Sequence, residues 1–89
     1  MITHDAVCNT LILINLNFID QRTIRNGCSR VFIKFENDII IEIMISEFLK
    51  SVNYKISKGD KMIKILRFDT LSELTIALEL TKTLMENVK

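Results

Sequence analysis

The amino-acid sequence predicts a small α+β domain in which a helix, a four-stranded antiparallel β-meander built of two hairpins and a C-terminal helix follow one another. Apolar residues recur at helical spacing near both ends of the chain, and they take strand-like spacing in between. Such separation of helices from strands is typical of α+β folds rather than of doubly wound folds. The 89 residues are expected to form a single domain, residues 1–89.

The first helix is predicted over residues 4–20, with Thr3 or Asp5 as its N-cap. Its apolar stripe is formed by Val7, Leu11, Ile14 and Phe18. Residues 14–18 also alternate between apolar and polar side chains, so a strand is the competing interpretation of that stretch. The helix accounts for more residues and has a start signal.

The first hairpin is predicted from strands at residues 30–35 and 39–45. A three-residue loop between them pairs Ile33 with Ile41 and makes one face of the hairpin wholly apolar. A two-residue loop would mix polar and apolar side chains on both faces. Because a slip of one residue turns every side chain to the opposite face, burial favours the three-residue loop.

The second hairpin is predicted from strands at residues 52–56 and 62–68, after a connection at residues 46–51. Gly59 and Asp60 fit a two-residue turn with glycine at its first central position. In that register Tyr54 would face Ile65 on the core side.

The C-terminal helix begins after Thr70, which forms a capping box with Glu73. Its predicted apolar face consists of Leu71, Leu74, Ala77, Leu78, Thr81, Leu84, Met85 and Val88.

The composition indicates an unusual need for apolar burial. Hydrophobic residues make up 48% of the chain and its mean hydropathy is +0.25, which is rich for a domain with so much surface relative to its volume. The excess predicts a partner interface, and a homodimer is the simplest way to bury it. Net charge is only +1, which disfavours a generic polyanion binder and also a nucleic-acid mimic.

The two cysteines are too few for a disulfide-stabilised secreted scaffold. The N-terminus lacks the basic segment of a signal peptide, and the apolar stretch 11–19 is shorter than the ~20 residues of a membrane span. A cytoplasmic protein without membrane contact is therefore expected, which means the host cytoplasm if a virus or phage encodes the chain.

Catalytic and metal-binding patterns are weak. His4 and Cys8 are spaced i, i+4, and Cys28 or Asp5 would have to complete a zinc site. A cysteine beside an apolar stripe is more often a small buried hydrophobe, and a histidine in a first helical turn is a poor general base. Cys28 lies near arginines and is at most a reactive thiol. The sequence thus predicts no enzyme, no cofactor and no metal.

Two basic clusters are candidate contact sites. Residues 21–30 include Arg22, Arg25 and Arg30 without a carboxylate, around a break at 26–27, and suit an anion or an acidic protein surface. The alternative is a solvated loop whose arginines form weak surface pairs. The second hairpin carries Lys55, Lys58, Lys61 and Lys64, which suit a nucleic-acid backbone or protect a sheet edge from aggregation.

The strongest candidate interface is apolar and consists of Phe32, Ile40, Met44, Met62 and Leu66 on the second face of the hairpins. If both helices cover the isoleucine-rich face, this second face is an exposed interface for a dimer or a partner. If the helices lie on opposite sides of the sheet, these residues are ordinary core. The order of the elements does not decide between the two.

The sequence therefore predicts a small non-enzymatic protein-binding module. Small size and an isoleucine-, lysine- and asparagine-rich composition, typical of an AT-rich genome, suit a phage, virus or mobile-element accessory protein that inhibits a host defence complex. The alternative is a small nucleic-acid-binding protein that uses the three arginines and four hairpin lysines.

Overall fold

The computed structural model describes residues 2–25 and 27–87, and the side chains of these except for residues 22–25 and 87. Its elements are α1 (His4–Leu13), β1 (Ile19–Arg25), β2 (Cys28–Lys34), β3 (Ile39–Ser46), β4 (Ser51–Lys58), β5 (Lys61–Phe68) and α2 (Leu71–Asn87). All five strands form one antiparallel sheet in chain order, β1-β2-β3-β4-β5. The α+β class is confirmed, whereas the predicted number of four strands is wrong.

The missing strand is β1, which begins in the second half of the predicted first helix. α1 starts as expected, because Thr3 Oγ1 accepts from the backbone N–H of Ala6 at 3.1 Å. It ends at Leu13, since Asn15 takes a left-handed conformation with a φ of 61°. The N–H of Leu16 then donates to the carbonyl of Leu11 at 2.9 Å, which is the bond of a Schellman motif.

The first predicted hairpin keeps its register. Ile33 pairs with Ile41 and Val31 pairs with Ile43, so the three-residue loop is confirmed. At the preceding hairpin, Gly27 has a φ of 73°, in agreement with the predicted break, while Asn26 lies outside the described residues.

The second predicted hairpin differs from the prediction by one residue. The turn at Gly59 and Asp60 is as expected, because Lys58 pairs with Lys61. An irregularity between Ile56 and Ser57 then shifts the register, so that Ile63 is the extra residue on β5. Tyr54 consequently pairs with Leu66 instead of Ile65, which pairs with Lys55.

Both helices pack on the same face of the sheet. The core joins Val7 and Leu11 of α1 and Leu74 and Leu78 of α2 to the isoleucine-rich strand residues. The fully buried hydrophobic strand residues are Val31, Ile33, Ile41, Ile43, Ile45, Val52 and Tyr54. The chain therefore forms two layers, helices over sheet, and no helix of the described chain lies on the other face.

α2 begins with the predicted cap, since Thr70 Oγ1 accepts from the backbone N–H of Glu73 at 3.2 Å. Leu74 and Leu78 are buried as predicted, but Leu84 is 60% exposed, and Val88 lies outside the described residues. Within residues 2–25 and 27–87, no helix is long and apolar enough to cross a bilayer.

Candidate functional site

One face of the sheet is turned away from both helices. Its residues can be identified from the strand pairing, because residues directly opposite each other on neighbouring strands lie on the same face. We call it the open face. One row across it contains Ile19, Phe32, Glu42, Lys55 and Ile65. A second row contains Gln21, Arg30, Met44, Asn53 and Arg67. A third contains Lys34, Ile40, Ser57 and Met62.

Each of the three rows of the open face contains at least one apolar side chain. Phe32, Ile40 and Met44 are half-buried by their neighbours in the middle strands. Met62 and Ile65 on β5 are each 52% exposed, and further apolar area is contributed by Ile19 on β1. Apolar side chains that gather on one face of a small domain, with polar residues among them, are a feature of interaction sites.

The charges on the open face are mostly positive. Its described side chains include four cations, Arg30, Lys34, Lys55 and Arg67. Arg67 lies 3.3 Å from the exposed carboxylate of Asp69 just after β5, and within the strands the carboxylate of this face is that of Glu42. That carboxylate is largely covered and already lies 3.9 Å from the Arg30 guanidinium. The whole chain has a net charge of only +1, so the positive excess is local to this face.

Four of the five residues of the predicted apolar interface share the open face. Phe32, Ile40, Met44 and Met62 lie on the open face as predicted. Leu66 does not, because the register shift in β5 turns it toward the helices, where it packs against the core. Ile65 takes its place on the open face.

The two predicted basic clusters do not form continuous surfaces among the described side chains. Arg30 lies on the open face, whereas the side chains of Arg22 and Arg25 in β1 lie outside the described part. Lys55 is also on the open face. The other three lysines separate from it: Lys58 and Lys61 flank the turn between β4 and β5, and Lys64 pairs with the core-side residue Ile56.

A polar cluster that the sequence did not predict lies on the helix-covered side of β1. His4 is only 4% exposed, and its two ring nitrogens face different partners. Nδ1 lies 2.6 Å from Ser29 Oγ, and Nε2 lies 2.6 Å from Asp20 Oδ1. The Sγ of Cys8 lies 4.0 Å from the second oxygen of Asp20. His4 is thus a buried residue whose backbone and ring are both held by hydrogen bonds.

Asp20 was missed because the helix prediction extended through it. On β1 it pairs with Val31, a core-side residue, and so it points toward α1. The combination Ser29, His4 and Asp20 has the composition of a catalytic triad, but Ser29 is 4% exposed, which keeps a substrate carbonyl from its Oγ. Cys28, which the sequence suggested as a further ligand, pairs with Ser46. By the alternation of side chains along β2 it lies on the same face as Arg30 and Phe32, the open face.

A cleft of about 360 Å³ lies between the end of α1, the turn between β2 and β3 and the C-terminal half of α2. Lys82 crosses one side of it and donates to the carbonyl of Ile14 at 2.7 Å. This bond joins the two helix ends, so we assign the lysine a structural role.

Comparisons with protein-family models, with curated proteins and with solved structures find no match to this chain.

Proposed function

We propose that the protein is a non-enzymatic protein-binding module that docks through its open face on a partner protein. One observation carries the proposal: both helices cover the same side of the sheet, which leaves the apolar residues of the opposite side without a covering layer. In a two-layer α+β fold, an uncovered sheet side that carries several apolar side chains is suited to binding another molecule. Phe32, Ile40 and Met44 lie at its centre.

The charges indicate the chemistry of the partner. Arg30, Lys34, Lys55 and Arg67 accompany the apolar centre, so a complementary surface combines apolar side chains with carboxylates. Exposed ion pairs contribute about 0–1 kcal/mol each, so we expect the apolar contacts to supply most of the affinity. The cations would chiefly speed association and set the orientation of the partner.

A second copy fits this surface less well. In a two-fold dimer through the open face, both copies would bring the same four cations into one interface, while Glu42 and Asp69 are already engaged with Arg30 and Arg67. An acidic and apolar heterologous partner has no such repulsion, so we assign the open face to a different protein.

Nucleic acid is the second candidate, favoured by the four open-face cations and by Phe32 as a stacking platform. Sheets that bind single strands usually stack several bases on several aromatic residues. The described open face offers one aromatic side chain among mainly aliphatic ones, which ranks nucleic acid below a protein partner.

The test places a photo-crosslinking phenylalanine analogue at position 32, in cells that express the full chain. We expect a crosslink to one protein, at a segment rich in carboxylates, that disappears when Met44→Glu is added. The matched control carries the analogue at Asn9, an exposed residue of α1 on the opposite side of the molecule. We expect little crosslinking from the control position.

Each outcome distinguishes the candidates. Crosslinks to nucleic acid from position 32, with affinity that falls steeply with salt, would replace the protein partner by the second candidate. Equal crosslinking from positions 9 and 32, or none from position 32, would contradict the assignment of the open face. The identity of a crosslinked protein also tests the predicted role of a phage or virus accessory protein that inhibits a host complex.

A further inference from the structure

The cluster of His4, Cys8 and Asp20 combines three kinds of metal ligand in one place. His4 is the first residue of α1, and Cys8 follows one turn later on the same side of the helix. Asp20 comes from β1 and points at this side of the helix. One imidazole nitrogen, the thiol sulfur and one carboxylate oxygen all lie within 4.8 Å of one another.

We propose that these three residues bind a Zn²⁺ ion, with a water molecule as the fourth ligand. Imidazole, thiolate and carboxylate are the three side-chain ligands that zinc uses, and three protein ligands with one open position are a common tetrahedral arrangement. Mixed nitrogen, sulfur and oxygen donors favour zinc over Mg²⁺ or Ca²⁺, which prefer oxygen alone.

The distances require only a small rearrangement. Ligand atoms around a tetrahedral zinc ion lie about 3.3–3.6 Å apart, given metal–ligand bonds of about 2.0–2.3 Å. His4 Nε2 and Asp20 Oδ1 are 2.6 Å apart and would have to separate, while Cys8 Sγ and Asp20 Oδ2 are 4.0 Å apart and would have to approach. Rotation of the Asp20 side chain would change both distances, and the side chain has room to rotate because it is 44% exposed.

The surroundings of His4 support metal binding by Nε2. A ligating histidine normally donates its other ring N–H to an oxygen, and Ser29 Oγ lies 2.6 Å from Nδ1. A hydroxyl can donate or accept, so Ser29 suits the ring tautomer with and without the ion. The backbone N–H of His4 donates to Glu47 Oε1 at 3.0 Å, which fixes the start of α1 against the turn between β3 and β4.

The position of the cluster indicates how the ion would enter the site and what its binding would do to the fold. The His4 side chain is 5% exposed, so the ion would enter past the more exposed Asp20 carboxylate. Binding would release the Cys8 thiol proton. The ion would then join α1 to β1, an edge strand that pairs only with β2 in the described sheet, and so stabilise the fold.

The test uses the full chain, freed of metal with a chelator, and Co²⁺ as a spectroscopic probe that Zn²⁺ displaces. We expect a thiolate-to-cobalt charge-transfer band that is absent in Cys8→Ser and retained in Cys28→Ser, the matched control on the other face of the sheet. Asp20→Asn changes a partly exposed side chain and provides a second variant if Cys8→Ser does not fold. We expect it to weaken Zn²⁺ binding by more than about 100-fold, and Ser29→Ala to weaken it by about 10–100-fold.

Zn²⁺ should also raise the melting temperature of the wild type and of Cys28→Ser but not that of Asp20→Asn. Absence of a charge-transfer band at saturating Co²⁺ would overturn the proposal. A band that survives Cys8→Ser but is lost in Cys28→Ser would do the same, because it would place the metal on the opposite face. Unchanged Zn²⁺ affinity in Asp20→Asn would remove the carboxylate from the site.

Discussion

Tyr54 shows how a single side chain connects the sheet to the helix layer. It is 1% exposed, its ring makes an edge contact with Phe68 at a centroid distance of 5.9 Å, and its hydroxyl lies 2.8 Å from Thr81 Oγ1 on α2. Burial raises the pKa of this tyrosine above its ordinary value of 10.0, although the hydrogen bond with Thr81 opposes the rise.

The raised pKa predicts a pH dependence of stability. A folded-state pKa above the unfolded one means that the contribution of the neutral phenol is fully present below pH 10.0 and is lost as pH rises through the folded pKa. The difference in unfolding free energy between wild type and Tyr54→Phe, measured with urea, should therefore shrink or reverse above that pH. At neutral pH we expect Tyr54→Phe to cost about 0.5–1.5 kcal/mol through the lost hydrogen bond.

The absorbance of tyrosinate provides a direct check, because Tyr54 is the single tyrosine of the chain. Its titration in the folded protein should lie above that in urea. Parallel pH profiles for wild type and variant would show that the phenol does not contribute in this way.

At the scale of elements, the end of α1 decides how many strands the sheet has. The apolar spacing of a helix continues to Phe18, so periodicity alone does not predict a stop at Leu13. Asn15 is the local signal, since asparagine tolerates the left-handed conformation better than most residues. Once the helix stops there, residues 19–25 are released to pair with β2 as an additional strand.

Substitutions at Asn15 test this explanation. Asn15→Gly should leave the unfolding free energy nearly unchanged, because glycine adopts a positive φ without steric cost. Asn15→Val should lower it by about 1–2 kcal/mol, the cost of a left-handed conformation for a residue with a Cβ. Chemical denaturation followed by circular dichroism measures both. Equal stability of the two variants would mean that the left-handed turn does not control the end of α1.

α2 has a second apolar surface besides the one that it buries. Ile76, Leu80 and Leu84 follow one another at i, i+4 and i+8, and each is 59–60% exposed. We call these three residues the outer stripe. They lie on the side of α2 away from Leu74 and Leu78, and they give a helix that is apolar on two sides.

For the whole molecule, two apolar surfaces on opposite sides account for the high hydrophobic content. The described chain buries the isoleucine-rich sheet face with its two helices, while neither the open face nor the outer stripe is covered by another element of the described chain. The open face carries several cations, whereas the outer stripe is made of aliphatic side chains. The outer stripe therefore suits a second copy of the chain better than the open face does.

Sedimentation mass distinguishes the two surfaces. If the predicted homodimer forms, Leu80→Glu should reduce its mass to that of the monomer, because a carboxylate is costly in a helix–helix interface. Met44→Glu should leave the mass unchanged if the open face binds another protein. Loss of the dimer in Met44→Glu alone would show that two copies meet through the open face. A wild-type mass equal to the 10.3 kDa of one chain would rule out the homodimer at the concentration used.

Features that depend on neighbouring residues could be predicted from the sequence. The caps at Thr3 and Thr70 follow from local hydrogen bonds, and the turn at Gly59 follows from backbone conformation. The register of β2 and β3 was also predictable, because only one register makes a face wholly apolar. Most apolar residues of the open face could be named in advance for the same reason; the exceptions are Ile65, which replaces Leu66, and Ile19, which the prediction placed in the first helix.

Tertiary structure decided the rest, since it depends on contacts between residues far apart in the chain. The free edge of β2 favours a fifth strand over a longer first helix. The apolar stripes of the two helices could have packed on either side of the sheet, and their packing in one common core placed both on the same side. The same placement turned Asp20 toward His4, 16 residues away in sequence, and so assembled the proposed zinc site. The open face became a candidate binding surface because both helices packed on the opposite side.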